Sequence, residues 1–226
     1  AERLQFRNIL AISPSELQAE ASSGGNFDIN HRWLITDKLS LSLNSLFFYT
    51  KIKHPLVLTK VDAMLALPNT FEFSQSINYI DTKGIELNMK WAYNDFKLFL
   101  GYTYADVHGH YNGKVKEFPL VANHRFNNVL MYEKHDNFWI GFEAYYFSPQ
   151  KLSDGSTGQN YWIVGLMTEK SFGERLSIFL NLENFLDVRQ TAFDSVYTGD
   201  ISDPQFRDIY APLDGFVING GLKLKF

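Results

Sequence analysis

Two histidines one residue apart, His108 and His110, form the most chemically suggestive short pattern in the chain. On an extended strand, residues two apart share a face, so both imidazoles can meet one metal or haem iron. A closed metal site needs further ligands, and we interpret the pair as part of a polar extracellular loop in preference to a metal site. We therefore treat both histidines as candidate ligand-binding residues and predict no metal site and no cofactor.

The last long polar segment offers a second group of candidates. Its aspartates do not follow the spacing of an EF-hand, so we interpret them as a solvated surface. Arginine suits bidentate recognition of anions, and the same chemistry would bind lipopolysaccharide phosphates. The candidates for contacting an anionic ligand such as a ferric chelate are Arg189, Tyr197, Arg207 and Tyr210.

Catalysis has no supporting motif. The chain lacks cysteine, which excludes a thiolate metal site and a cysteine nucleophile. Neither a Gly-x-Ser-x-Gly elbow nor a phosphate-binding loop is present. Asp154-Gly155-Ser156 is typical of a turn, and we predict no catalytic residue and no enzyme.

Bulk composition narrows the class of protein further. The net charge is −4 and basic residues form no cluster, which argues against a nucleic-acid partner. The longest strongly apolar stretch is residues 161–167, far short of the about 20 residues that a spanning helix needs. Any membrane crossing must therefore use strands.

Period-two alternation of apolar and polar residues predicts those strands. On the segment around residue 42, apolar side chains occupy the odd positions, while Ser40, Ser42 and Asn44 face the other way. We count about nine such segments, of the about 9–11 residues that a tilted membrane strand requires. In residues 161–167 both faces are apolar, and the pattern does not assign the outward one.

The connections alternate between short and long. Short turns are predicted at 36–38, 93–95, 136–137 and 172–175, and long segments at 54–69, 107–122, 148–160 and 187–215. Aromatic residues are expected in two belts at the strand ends. Short periplasmic turns, long extracellular loops and aromatic girdles are typical of an outer-membrane β-barrel. The strands of a soluble lipid-binding barrel also alternate apolar and polar residues. Such a barrel is the third candidate, behind two kinds of outer-membrane barrel.

Three stretches resemble TonB-dependent receptors, and the ending resembles a signal shared by outer-membrane barrels in general. Residues 13–20 resemble the family's Asn-Pro-x-Leu-x-Pro-Glu segment, departing from it at Ser13 and Ala19. Residues 82–87 and 184–187 resemble its Thr-Lys-Gly-Val-Glu-Leu and Asn-Leu-Phe-Asp segments. The ending resembles a barrel-assembly signal, whose alternating positions here are Phe216, Ile218, Leu222, Leu224 and Phe226.

The resemblance implies a transmembrane antiparallel β-barrel of about 22 strands with an N-terminal plug. Residues 1–226 would be the C-terminal part of the barrel, without the plug and the TonB box. The resemblance implies active import of a scarce nutrient. The preferred substrate is an iron chelate, either a siderophore or haem, and cobalamin is an alternative. The expected partners are outer-membrane lipid and lipopolysaccharide, the barrel-assembly machinery, TonB through the plug, and the chelate. A passive or adhesive barrel is the alternative function.

Overall fold

The computed structural model describes residues 17–60, 71–75, 77–134, 137–202 and 204–225. Within these ranges no helix is long and apolar enough to cross a membrane. The elements are β1 (Ala21–Thr36), β2 (Leu39–Lys53), β3 (Val57–Lys60), β4 (Phe71–Ser74), β5 (Tyr79–Tyr93), β6 (Phe96–Tyr111), β7 (Lys114–Glu117), β8 (His124–Lys134), β9 (Phe138–Phe147), β10 (Tyr161–Phe172), β11 (Leu176–Glu183), the single-turn α1 (Gln190–Phe193), β12 (Tyr197–Thr198), β13 (Gln205–Phe206) and β14 (Val217–Leu224).

Ten strands form one antiparallel sheet, and nine of them form its main path, in the order β1-β2-β5-β6-β8-β9-β10-β11-β14. β7 pairs with the far end of β6, and the hairpins β3–β4 and β12–β13 stand apart as two-stranded sheets. Each strand of the main path pairs with the next one along the chain, as short turns between long alternating segments require. The prediction of an all-β antiparallel fold with about nine strands is confirmed.

The turns at one end of the sheet are short, as predicted. They fall at residues 37–38, 94–95 and 173–175, and Asn94 and Gly173 supply the positive φ angles that tight turns need. Asp136, at the predicted fourth turn, lies outside the described residues. All long connections lie at the opposite end, which by the rule for such barrels is the extracellular one.

One long loop was predicted wrongly. Residues 107–122 are not all loop, because β6 continues to Tyr111 and folds back through a two-residue turn into β7. The turn is Asn112-Gly113, with φ angles of 31° and 85°. Asn-Gly between two extended segments is the strongest short-range hairpin signal, and it was available in the sequence.

The strand register separates an apolar face from a polar face across the whole sheet. Directly paired residues share a face, and one row of such pairs consists only of apolar side chains. This row is Leu41, Trp91, Leu98, Leu130, Phe142, Leu166, Leu182 and Ile218. We name the level of each row by its residue on β2. The rows of this face from the Leu39 level to the Phe47 level are called the apolar belt. The register also places Trp162, Val164 and Leu166 on this face, which the sequence left open.

The polar face is the concave one. A cavity of about 530 Å³ opens on it, lined mainly by polar-face residues such as Ser42, Asn88 and Asn127. Hydrogen bonds link polar side chains along this face: the Asn44 amide donates to Asp28 and to Asn30, both at 2.8 Å. The apolar belt is therefore convex, as a barrel with lipid outside and water inside requires.

Aromatic side chains border the apolar belt at both edges, as predicted. At the long-loop edge Tyr102, Phe126, Tyr146 and Trp162 form a continuous row, with ring centroids 4.9, 5.7 and 5.0 Å apart. At the short-turn edge, the rings of Phe96 and Tyr132 lie 4.9 Å apart. These rows are the aromatic girdles of a membrane barrel.

The sheet does not close on itself in this chain. Among the described residues, β1 pairs only with β2 and β14 only with β11, and β1 is exposed along its whole length. Ile218, Leu222 and Leu224 of the expected assembly signal lie on the apolar face, opposite Leu182, Ile178 and Leu176. Phe216 precedes β14, and Phe226 lies outside the described residues.

Candidate functional site

The last long loop begins and ends at a hydrogen-bonded base. Asn184, with a positive φ of 47°, donates through its amide to the carbonyls of Val188 (2.9 Å) and Asp214 (3.3 Å). Its own side-chain oxygen accepts from the Val188 N–H at 3.1 Å. Asp187 accepts the backbone N–H of Phe216 at 2.9 Å. The two chain ends of the loop are thus tied together directly above β11 and β14.

Gln190 organises the interior of the same loop. Its side chain is fully buried, at 0 % exposure. The amide donates to the Asp208 carbonyl at 2.9 Å, and its oxygen accepts the N–H groups of Tyr210 (2.9 Å) and Ala211 (3.1 Å). The Gln190 N–H donates to the Pro212 carbonyl at 2.7 Å. Burying this amide costs little because its polar atoms are paired, and it folds the loop back on itself.

Tyr210 joins this loop to residues 148–160. Its carbonyl accepts from the Gln150 amide (3.2 Å) and the Tyr161 hydroxyl (2.8 Å), and its hydroxyl oxygen accepts from the Gln159 N–H (3.0 Å). Its ring packs with Leu152 in a small buried cluster. We call residues 148–160 together with 187–202 and 204–215 the loop cap.

An ion-pair network reinforces the loop cap. Arg207 donates to the Asp194 carboxylate at 2.6 Å and lies 3.6 Å from that of Asp154, which belongs to the other loop. The Tyr210 hydroxyl donates to the second oxygen of Asp194 at 3.1 Å. A guanidinium shared by two carboxylates holds a fixed geometry better than an isolated surface pair does.

The titration behaviour of the loop cap follows from these contacts. Burial raises the pKa of Tyr210, and its hydrogen bond to Asp194 adds to this effect. Hydrogen bonds from Ser156 hold the pKa of Asp154 below its usual value, with a smaller contribution from Arg207. The Phe216 N–H does the same for Asp187. At neutral pH the carboxyl groups of Asp154 and Asp187 are therefore ionised and the Tyr210 hydroxyl is neutral.

A third connection along the rim also contacts the loop cap. The Leu120 N–H, in the loop between β7 and β8, donates to the Lys151 carbonyl at 2.8 Å. Leu120 has a positive φ of 60°, an uncommon conformation for a branched apolar residue. Three consecutive loops are thus linked at the long-loop end of the sheet.

The four predicted loop residues take different positions. Arg207 and Tyr210 meet at Asp194, and Tyr210 is only 6 % exposed, so in this structure both hold the loop cap together. Arg189 pairs with Asp187 at 2.7 Å at the loop base. Tyr197, on β12 opposite Phe206, is 44 % exposed and presents its ring to solvent.

His108 and His110 lie on β6, and not in the loop where their polar surroundings had placed them. Each contacts a carboxylate: His108 lies 3.3 Å from Asp106, and His110 pairs with Asp81. Asp106 stands two residues before His108 and therefore shares its face of β6. The described residues contain no group of three or more ligands that could hold a metal, and the contacts of these histidines do not involve the loop cap.

Several important residues of the loop cap were missed from the sequence. A glutamine in a polar loop resembles a solvated residue, so nothing marks Gln190 as buried. Gly158 has a clear reason only in the structure, since a Cβ there would lie 2.6 Å from the Tyr210 ring. Their roles depend on contacts 18 or more positions away along the chain, which alternation does not encode.

Comparison with known proteins defines the family. The model of the β-barrel of TonB-dependent receptors matches residues 10–185. The chain belongs to the TonB-dependent receptor family. It is part of a receptor barrel of the bacterial outer membrane. No curated protein sequence matches it.

Solved structures of the family share the fold at low identity. The FrpB iron transporter from Neisseria meningitidis has 14% identity and a TM-score of 0.62, over 96% of this chain and 32% of that one. The pyoverdine receptor FpvA from Pseudomonas aeruginosa PAO1, bound to pyoverdine, has 17% identity and a TM-score of 0.56, over 91% and 30%. The copper transporter OprC has 11% identity and a TM-score of 0.67, over 94% and 32%. The chain spans about a third of each.

The structure explains one family-like segment of the receptor physically. Gly84, within residues 82–87, pairs with Phe48 on β2 and Ala105 on β6. A Cβ at this position would lie 2.6 Å from the Phe48 ring and closer still to the Tyr104 carbonyl. Glycine therefore lets a large ring lie flat across the polar face. Residues 13–16 of the other resembling segment lie outside the described residues.

Proposed function

We propose that this chain is the C-terminal part of a receptor barrel that imports an iron chelate, siderophore or haem, with energy supplied through TonB. The observation that carries the proposal is the loop cap, a set of linked loops above the polar concave face of a TonB-dependent receptor barrel. A pre-organised entrance lowers the entropic cost of holding a ligand.

The choice of an iron chelate rests on what the similar structures are. FrpB is described as an iron transporter and FpvA is bound to the siderophore pyoverdine. OprC is a copper transporter with a higher TM-score, so likeness of fold does not select the metal. The iron chelate is the hypothesis to be tested against copper.

We assign ligand contact to the exposed side chains of the loop cap. The buried side chains hold the loops in the conformation that presents them. Tyr197 offers an exposed ring and Arg189 a half-exposed guanidinium, which suit an aromatic or anionic chelate. Tyr210 and Arg207 maintain the geometry of the surface that carries them.

The test uses the full-length receptor in cells starved of iron, supplied in turn with ferric siderophores, haem and copper. We expect growth on at least one iron chelate and no change in copper uptake. Tyr197→Ala should raise the half-saturating concentration about tenfold, the effect of losing about 1.4 kcal/mol of contact. Thr198→Ala, its neighbour on β12, is the matched control and should behave as the unmodified receptor. Copper uptake without iron uptake would reject the proposal that the substrate is an iron chelate. Equal effects of both variants would reject the assignment of Tyr197 as a ligand contact.

A further inference from the structure

The chain contains two Asn-Gly dipeptides, Asn112-Gly113 and Asn219-Gly220. In such a pair the backbone nitrogen of the glycine can attack the side-chain amide carbon of the asparagine, because glycine has no Cβ to hinder the approach. The attack requires that the amide is free to rotate and that the backbone can leave its native conformation. The surroundings of each pair therefore decide whether it reacts in the folded protein.

The first pair is accessible and loosely held. Asn112 and Gly113 are exposed and form the turn of the β6–β7 hairpin. Among the described residues the Asn112 side chain has no hydrogen-bond partner, and a Cβ added to Gly113 would meet nothing within 4 Å. β7 has 4 residues, all exposed, and within the described part of the chain it pairs only with β6. Opening this turn therefore disrupts little structure.

The second pair is fixed within a strand. Asn219 lies in the middle of β14, directly opposite Asn181 of β11. Its amide donates to Glu183 at 2.5 Å, and its side-chain oxygen accepts from the Asn181 amide at 3.1 Å. Reaction at Asn219 therefore requires that both hydrogen bonds and part of the β11–β14 ladder break first.

We propose that Asn112 is a site of spontaneous deamidation in the folded receptor and that the fold protects Asn219. The Gly113 nitrogen loses its proton and bonds to the Cγ of Asn112, and the bond from Cγ to the side-chain nitrogen breaks, so that ammonia leaves. Water then opens the resulting succinimide ring. Breaking the new N–Cγ bond gives aspartate. Breaking the original peptide bond gives isoaspartate, whose main chain runs through the side-chain carbons.

Isoaspartate would change the hairpin itself. It adds a carbon to the main chain of a two-residue turn, and the favoured turn types of such hairpins depend on that length. The turn then no longer joins the paired residues Tyr111 and Lys114 in register. β7 leads into the loop whose Leu120 N–H donates to the Lys151 carbonyl, so deamidation loosens one of the three linked loops. This site is independent of which substrate the receptor imports.

The experiment ages the folded full-length receptor in detergent at mildly alkaline pH and follows both asparagines by peptide mapping and mass spectrometry. Fragmentation by electron transfer distinguishes isoaspartate from aspartate, and heat-modifiability on a gel shows that the receptor stays folded. Asn112 should deamidate at least about tenfold faster than Asn219, which corresponds to about 1.4 kcal/mol more free energy for opening the structure at Asn219. In receptor unfolded by urea, both asparagines should react at similar rates.

Asn112→Gly is the matched variant, because Gly-Gly supports the same turn type as Asn-Gly and lacks the reactive amide. Ageing should increase trypsin cleavage after Lys114 and Lys116 of β7 in the unmodified receptor and leave it unchanged in the variant. Equal rates at the two asparagines in the folded receptor, or a tenfold difference that persists in urea, would overturn the proposal. Equal cleavage of both aged proteins would overturn the loosening of β7.

Discussion

Arginine at the centre of the apolar belt should destabilise the receptor much more than arginine on the polar face. Leu100 lies four residues from Phe96 and four from Tyr104, the aromatic residues of β6 at the Leu39 and Phe47 levels, which are the two borders of the belt. At about 3.4 Å per residue, each border is about 14 Å away along the strand. A strand tilt of about 40° leaves about 10 Å of depth on either side. The belt is thus about 20 Å tall here, close to the about 25 Å of outer-membrane barrels.

At this depth the guanidinium must stay in hydrocarbon or deform the membrane. We therefore expect Leu100→Arg to lower the free energy of unfolding by about 2–4 kcal/mol. Ser42→Arg points into the concave polar face beside Asn88, and should change it by about 0.5 kcal/mol. Leu41, Leu87 and Leu180 lie on the belt face with Leu100, and should follow it.

The assay is folding of the full-length receptor into lipid vesicles over a urea gradient, followed by heat-modifiability. Leu100→Met keeps volume and polarity and controls for packing. A loss for Ser42→Arg equal to or greater than that for Leu100→Arg would refute the assignment of convex and concave faces.

Three further predictions concern the loop cap, assembly and the open edges. Tyr210→Phe removes two hydrogen bonds of the loop cap and should weaken it by about 1–3 kcal/mol, measured as faster limited proteolysis; unchanged proteolysis would contradict a structural role. Because the pKa of Tyr210 is raised and that of Asp154 lowered, the cap should keep full stability between about pH 4 and pH 10. It should loosen above this window as unfolded tyrosine ionises, and below it as Asp154 is protonated; an alkaline limb as large in Tyr210→Phe as in the unmodified receptor would contradict this. Deleting Phe226 from the full-length receptor should lower the amount of receptor in the outer membrane without changing its synthesis. A normal amount would contradict the interpretation of the C-terminal residues as an assembly signal. Residues 1–226 expressed alone should aggregate or oligomerise through the open edges of β1 and β14, and a monodisperse, heat-modifiable monomer would show that the sheet closes by itself.

The main sheet was predictable because its signal is local and repetitive. Alternation at Leu39, Leu41 and Leu43 reports the face of β2 without knowledge of its neighbours. The pattern failed at residues 161–167, where Ile163 and Met167 face the concave side although they are apolar. Only the register with β9 decides that segment, and register is a property of two strands.

The loop cap was less predictable, because its contacts join positions far apart in the chain. Tyr210 was selected from the sequence for its possible contact with a ligand, whereas the structure buries it against Gln150 and Gln159. Arg207 was selected on the same ground and is engaged by two aspartates. Side-chain chemistry selected these residues as ligand contacts, whereas their contacts within the loop cap depend on the fold.

Energy-dependent accumulation of an iron chelate tests the central claim most directly. Cells carrying the full-length receptor would be given a radiolabelled ferric siderophore, with and without TonB and with the proton gradient intact or collapsed. We predict accumulation above the external concentration only when both TonB and the gradient are present. Uptake that reaches the external concentration and is the same in all four conditions would contradict active import and identify a passive pore.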